Sequence, residues 1–236
     1  MPFQSENRVL AGLPPSDYAL LAPALHAVAL PSGACPLPHG YVYFPHEGMM
    51  SLLATTPDGQ TIEMASAGRQ GLIAPIAQSD ALLVVALGTV RVTQISTARL
   101  QAVAAESEAL NRALGACREA LLLQLQQNLL CGGLHPLERR LSRWLLDTAD
   151  RLESATIPVT QEIVAQRLAV RRTSVTLLAS KLQEIGAIRW GRSRVEILNH
   201  ARLEPEACSC RRPLRECLGA QHPRDLSEPA QRHLGA

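Results

Sequence analysis

Residues 160–198 constrain this chain more than any other stretch, because they read as two short helices and a hairpin with almost nothing between them. Thr160 precedes the run Q-E-I-V-A-Q-R-L and offers a hydroxyl to the free N–H groups of a first helical turn. Val164 and Leu168 fall four apart on one face, and small Ala165 lets a second helix cross closely. The periodicity breaks at Ala169 and Val170, then restarts with Val175, Leu178 and Leu182 at spacings of three and four. Gly186 ends that second run, as a residue free to take positive φ does. Two short helices joined by a three- or four-residue turn make a helix-turn-helix.

The second helix is expected to run from about Arg171 to Ile185, about 22 Å at 1.5 Å per residue, narrow enough for a major groove. Its opening turns carry Arg171, Arg172, Thr173, Ser174 and Thr176. Arginine's planar fork pairs two ways with guanine, and threonine donates, accepts or touches a thymine methyl. Beyond Gly186, Ile188 and Trp190 precede Gly191, and Val195 and Ile197 follow it, which predicts a short hairpin. Arg192 and Arg194 lie at or near its tip, so the hairpin reads as a wing suited to gripping phosphates. Charge agrees: residues 160–200 hold seven Lys/Arg against three Glu, a net +4. The plain alternative is a structural helical pair with a solvated charged face.

Residues 134–205 resemble the winged helix-turn-helix of the CRP/FNR transcription regulators, most specifically across T-Q-E-I-V-A-Q-R-L and V-R-R-T-S-V-T. By that resemblance Arg172, Thr173 and Thr176 hold base-reading positions, and Gln161, Arg171 and Ser174 hold backbone-contacting ones. Thr160 and the wing's Arg192 and Arg194 join the expected backbone set. The resemblance implies double-stranded DNA, a second copy of the chain and RNA polymerase as partners. One departure stands out: the family often has glycine in the turn where this chain has Ala169. That turn is therefore reached without positive φ, or at some strain.

Bulk properties narrow the remaining classes. At 47% hydrophobic residues the 236-residue chain can build a core, which argues against global disorder. A net charge of only +2 argues against a generic polyanion binder, yet residues 1–98 carry three Arg against six acids, so the positive field lies towards the C-terminal part. No apolar run reaches the roughly 18 residues needed to span a bilayer, and no basic segment precedes an apolar one at the start. A soluble cytoplasmic protein is expected, with its six cysteines as thiols.

In chain order, residues 1–30 read as surface helices with Ser16 as a cap, and 31–40 as a loop. Short β-prone runs follow: Y-V-Y-F-P, M-M-S-L-L-A-T, Q-T-I-E-M-A, then A-L-L-V-V-A-L and T-V-R-V-T-Q-I around Gly88. Thr56-Pro57-Asp58-Gly59 is the clearest turn signal. Their placement resembles the CRP/FNR sensor domain. In the nucleotide-binding members a Gly-Glu pair holds the ribose, and an arginine about ten positions on holds the phosphate. Here Leu72 stands where the glutamate would be, and no arginine lies between Arg69 and Arg91. An apolar side chain cannot accept ribose hydroxyls, and a phosphate without a cation is poorly compensated. A degenerate sensor domain that does not bind cyclic AMP by the usual contacts is expected.

Residues 99–131 form the longest helical pattern, with Leu110, Leu114, Cys117, Leu121, Leu125 and Leu129 at spacings of three and four. The first five are the expected dimer seam, which Gln124 and Asn128 could also face; the plain alternative is a helix packed on its own domain. Gly132-Gly133 is the expected hinge, and Arg139, Arg140 and Arg143 the solvated side of the helix beyond it. The whole is expected to be α+β: residues 1–98 a β-roll resembling a cyclic-nucleotide-binding domain, 99–133 a dimerisation helix and hinge, 134–205 the winged helix-turn-helix, and 206–236 a partly disordered tail.

No cofactor and no metal are expected. Cys208-x-Cys210, with Cys217 and His222 beyond, lacks the usual zinc-knuckle spacing, so ordinary thiols are the reading. His26, His39 and His46 read as surface histidines, and Cys117 and Cys131 as small buried hydrophobes. No Gly-rich phosphate loop, G-x-S-x-G or H-E-x-x-H motif supports an enzyme. Besides a sequence-specific regulator, two readings remain: a regulator gated by haem or thiol redox chemistry, and a protein-interaction module that docks through the winged domain.

Overall fold

The computed structural model describes residues 6–74 and 81–221. Two short helices, α1 (Arg8–Ala11) and α2 (Pro15–Leu21), open the chain. Buried Asn7 caps α1, accepting from the Val9 and Leu10 amides while its own amide donates to the Pro45 and Gly71 carbonyls. Pro14, not Ser16, occupies the cap of α2; Pro15 at the first helical position already lacks the N–H that a cap would satisfy.

Five antiparallel strands follow: β1 (His26–Leu30), β2 (Gly33–Cys35), β3 (Tyr41–Thr55), β4 (Thr61–Ala67) and β5 (Leu82–Ser96), in the order β1-β5-β3-β4 with β2 also on β5. His26–Leu30 is thus a strand where a surface helix was expected, and Gly33–Cys35 a strand inside the expected loop. Both are held by β5, which the local pattern cannot anticipate: His26 pairs with Gln94 and Gly33 with Ala86. Y-V-Y-F-P and M-M-S-L-L-A-T merge into the single strand β3, bent at register shifts between Pro45 and Met49. The Thr56–Gly59 turn closes β3 on β4 as expected.

The long helical pattern is two helices, α3 (Thr97–Glu106) and α4 (Glu108–Leu134). Ser107 leaves helical geometry between them, and its hydroxyl accepts from the Leu110 amide. Gly132 and Gly133 lie inside α4; the break falls at His135-Pro136, where the residue before a proline is driven to extended geometry. The chain then forms α5 (Leu137–Leu152), β6 (Thr156–Ile157), α6 (Gln161–Leu168), α7 (Arg172–Glu184), β7 (Ile188–Trp190), β8 (Val195–Ile197), α8 (His200–Leu203) and α9 (Arg211–Gln221). Strands β6, β8 and β7 make a small second sheet. The architecture is α+β: an N-terminal antiparallel roll, a long helix and a C-terminal winged helix-turn-helix. Among the described residues no helix is long and apolar enough to cross a membrane.

The upper part of the expected seam on α4 turns inward, while Leu125 further along is half-buried. Leu110 is fully buried in the core of the β-roll, Leu114 and Cys117 pack against that core, and Cys117 and Leu121 line a cavity within the chain. Gln124 and Asn128 also turn inward. The Gln124 carbonyl accepts from the Ser66 amide at 3.0 Å and from Arg151, and the Asn128 amide donates to the Met64 carbonyl at 2.7 Å. The stripe is real, but an adjacent sheet of the same chain satisfies it. The apolar residues α4 leaves most open to solvent are Leu129 at 79%, Leu134 at 74% and Leu122 at 59% exposure.

The roll and the winged domain share one core. Met49 and Leu87 of the roll are buried among Leu141, Trp144, Leu145, Ile157, Val164, Val175 and Leu182. Gly68 lies so close to α5 that a Cβ would sit 2.4 Å from the Arg151 carbonyl oxygen. At the centre of this junction Glu63 of β4 accepts from Arg167 of α6 at 2.5 Å and from the Trp144 indole of α5 at 3.3 Å. Arg143 is buried too: it donates to Asp147 at 3.2 Å and Asn128 at 2.6 Å, and is not on a solvated face. Arg140 is similarly engaged with the Leu168 carbonyl, and Arg139 with that of Pro205.

Residues 206–221, placed in an expected partly disordered tail, are folded. Arg211 is buried and pairs with Asp150 at 2.6 Å, Glu204 at 3.0 Å and Asp147 at 3.4 Å. Leu214 is buried as α9 lies along α4. His222 and the rest of the tail lie outside the described residues.

Candidate nucleic-acid interface

Thr160 caps α6 as its position suggested, with its hydroxyl accepting from the Ile163 amide at 3.2 Å. Val164, Ala165 and Leu168 are buried on one face of α6, and Val175, Leu178, Ala179 and Leu182 on one face of α7. The turn between them does take positive φ: Ala169 is left-handed at φ 53°, and the Val170 amide reaches back to the Ala165 carbonyl. A side chain in that region costs about 1–2 kcal/mol that glycine does not. Ala169→Gly is therefore expected to stabilise the chain by about 1 kcal/mol in urea denaturation, where an ordinary helix-end alanine would lose stability. Gly186, at φ 66°, closes α7 as its amide donates to the Gln183 carbonyl and that of Ala187 to Leu182.

With one face of α7 committed to the core, the opposite face is open. Arg172, Thr173 and Thr176 are exposed there, joined by Leu177 at 62% exposure and by Ser180. Leu177 was not among the residues singled out from the sequence, since an exposed leucine reads as core until its face is known; here it offers an apolar contact of the kind a thymine methyl takes. Arg171 caps α7 by position and is exposed, and Ser174 is half-buried. Gln161 opens α6, and the Thr176 hydroxyl donates to its carbonyl oxygen at 2.6 Å and contacts the Arg172 carbonyl. The first turn of α6 and the second turn of α7 are thus in contact through these two side chains.

The wing lies behind α7. Gly191 and Arg194 close its turn through the Gly191 amide, and Gln183 of α7 accepts from the Trp190 amide at 2.8 Å, which fastens wing to helix. Arg189 is neutralised by Glu196 across the hairpin at 2.6 Å. Arg192 and Arg194 are exposed at the tip. Among the described residues, Arg171, Arg172, Arg192 and Arg194 have no acidic partner, so the start of α7 and the wing tip each carry two uncompensated guanidinium groups.

Residues 139–206, which hold this surface, match the family model of the Crp-like helix-turn-helix domain. The chain carries a Crp-like helix-turn-helix domain. The Crp-like domain sits in a chain whose whole architecture has counterparts among solved structures. FixK2 from Bradyrhizobium japonicum is 18% identical with a TM-score of 0.68, over 78% of this chain and 98% of that one. The c-di-GMP-responsive global regulator CLP of Xanthomonas campestris is 17% identical with a TM-score of 0.64, over 78% and 99%. A CRP/FNR-family transcriptional regulator from Thermus thermophilus is 17% identical with a TM-score of 0.61, over 77% and 98%. At these identities the likeness establishes the CRP/FNR regulator fold, with the roll and long helix included. No protein of curated function matches the chain by sequence.

In the roll, a cavity of about 40 Å³ lies between β4 and α4, lined by Leu72, Ile73, Cys117, Leu121 and Gln124 among others, none of them charged. Pockets that take whole small ligands are on the order of 300 Å³ or more. Arg69 points elsewhere: it donates to the His46 carbonyl at 2.9 Å and to Glu153, just past the end of α5, at 3.3 Å. Residues 75–80 of the region compared with the nucleotide pocket lie outside the described residues. Of the three histidines read as surface groups, His26 and His39 are exposed, while His46 is half-buried with its Nε2 2.5 Å from the Thr93 hydroxyl.

Proposed function

We propose that this chain is a homodimeric, sequence-specific, DNA-binding transcription regulator that works without a cyclic nucleotide held by the usual contacts. The observation that carries the reading is the exposed face of α7, where Arg172, Thr173 and Thr176 stand clear of the core, with Arg171 and the wing's Arg192 and Arg194 also exposed. A helix of this width enters the major groove with its N-terminal turns against the bases, and the flanking arginines and helix N-termini take phosphates. Arg172, Thr173 and Thr176 read bases; Thr160, Gln161, Arg171, Ser174, Arg192 and Arg194 position the backbone. Fluorescence anisotropy on duplex DNA tests this. Arg171→Ala with Arg172→Ala abolishes binding at moderate salt, and wild-type affinity falls steeply with salt because phosphate contacts release counterions. Salt-independent binding, or a double variant that binds like wild type, contradicts the reading.

The dimer contact runs along the outer face of α4, through Leu122, Leu125 and Leu129, whose spacings of three and four repeat as a coiled-coil seam does. Leu122 and Leu129 are exposed in the single chain, as a seam awaiting its partner is. Leu122→Asp with Leu129→Asp converts the dimer to a monomer in sedimentation, while Leu122→Ala alone only weakens it. Leu72 in the place of a ribose-holding glutamate, a cavity of about 40 Å³ and an Arg69 paired with Glu153 all support a sensor roll that does not take cyclic AMP by the usual contacts. Calorimetric titration with cyclic AMP is expected to show no binding in the micromolar range.

A further inference from the structure

Outside the DNA-facing surface, one cluster of chemistry-bearing side chains has no part in the account above. Cys131 and His135 stand four apart on the last turn of α4, and Cys208 and Cys210 lie in the turn before α9. The Cys131 and Cys208 sulfurs are 3.4 Å apart, and the Cys210 sulfur is 3.4 Å from His135 Nδ1. One donor atom from each of the four residues falls within 4.8 Å of all the others. We propose that Cys131, His135, Cys208 and Cys210 form a binding site for one zinc(II) ion, which clamps the segment after the winged domain onto the end of α4.

The distances select the size of the group. Four donors around one tetrahedral zinc, with Zn–S of about 2.3 Å and Zn–N of about 2.0 Å, lie about 3.8 Å apart sulfur to sulfur and about 3.5 Å sulfur to nitrogen. The S–S and S–N separations of 3.4 Å, and a limit of 4.8 Å on the others, lie close to those dimensions. An iron–sulfur cluster interposes several metal and sulfide atoms and spreads its cysteines wider than this. The donor set selects the element: three thiolates and an imidazole in a tetrahedron suit zinc, and are poor ligands for magnesium or calcium.

Burial and charge fit the same assignment. The three cysteines are 1%, 6% and 6% exposed and form a cluster of their own, separate from the larger hydrophobic cores. Three thiolates around a divalent ion leave one net negative charge, and the buried Arg143 guanidinium lies near enough to act on Cys131 and Cys208. Three cysteines serving only as small apolar fillers would not require a ring nitrogen turned onto a sulfur. The sequence pattern around Cys208, with Cys217 and His222 beyond, does not show this set of donors. The structure supplies them from 77 residues away.

Position says what the ion does. The Crp-like domain, residues 139–206, lies between the two halves of the site. Binding therefore ties both ends of the winged domain to α4 at His135-Pro136, where the helix breaks. This holds whether or not α7 reads DNA, and the test is independent of DNA.

The full chain, purified under reducing conditions without chelator, is expected to hold one zinc per chain by elemental analysis. Cobalt(II) in its place is expected to give the strong visible bands of a tetrahedral site and a near-ultraviolet thiolate band. Cys208→Ser with Cys210→Ser loses the metal, Cys35→Ser with Cys217→Ser keeps it, and His135→Cys keeps it with shifted cobalt bands. The idea is overturned if the reduced wild-type chain takes up neither ion in stoichiometric amount. It is equally overturned if metal is lost with Cys35 and Cys217, or if intact mass shows a stable Cys131–Cys208 disulfide that excludes metal. The wild-type cobalt titration decides the matter even where a ligand variant fails to fold.

Discussion

Glu63→Ala is expected to cost about 3–5 kcal/mol of stability. Glu63 lies on β4, in the roll, yet both of its partners belong to the winged domain: Arg167 at 2.5 Å and the Trp144 indole at 3.3 Å. The Arg167 side chain is 1% exposed and that of Glu63 9%. Without the carboxylate, a buried guanidinium loses its only acidic partner among the described residues, and two of its nitrogens already lack hydrogen-bond partners. The loss arises from the stranded charge more than from the broken pair. The double variant Glu63→Met with Arg167→Met therefore regains most of it, because apolar replacement of a whole buried pair is often neutral. Urea denaturation followed by tryptophan fluorescence reads both values. A loss under about 1 kcal/mol for Glu63→Ala would mean that water reaches Arg167 and that the junction between roll and winged domain is loose.

Arg172→Ala is expected to cost about 1–3 kcal/mol of specific binding, roughly 5- to 150-fold in affinity, and to relax preference at one base pair. Arg172 stands on the open face of α7 with no acidic partner among the described residues, so its fork is free to pair with a base edge. Arg192→Ala at the wing tip is the contrasting variant. It weakens binding about equally on all sequences and lowers the salt slope by about one. An Arg172→Ala variant that loses affinity evenly across sequences would reassign that residue to phosphate holding.

How far the residues foretell the fold depends on whether the deciding contact is local. The cap at Thr160, the buried face of α7, the stop at Gly186 and the wing flanking Gly191 were all legible, because each rests on neighbours within a few positions. The left-handed turn at Ala169 was legible only as an alternative, since alanine in that region defies local preference and is held there by the packing of α6 on α7. The strand His26–Leu30 was not legible: its partner is Gln94 and the residues before it, far along the chain. The stripe on α4 shows a different limit. Periodicity finds an apolar face but not what covers it, so Leu110 was assigned to a partner chain when its own roll buries it. The four-residue cluster at Cys131 depends wholly on tertiary placement.

Selection of bound duplexes from a random DNA pool tests the central claim most directly. The account predicts an inverted pair of half-sites with centres about 10 base pairs apart, each enriched over positions that Arg172→Ala specifically relaxes. A pool that enriches no sequence, or one whose preferences survive loss of Arg172, Thr173 and Thr176 together, would contradict it.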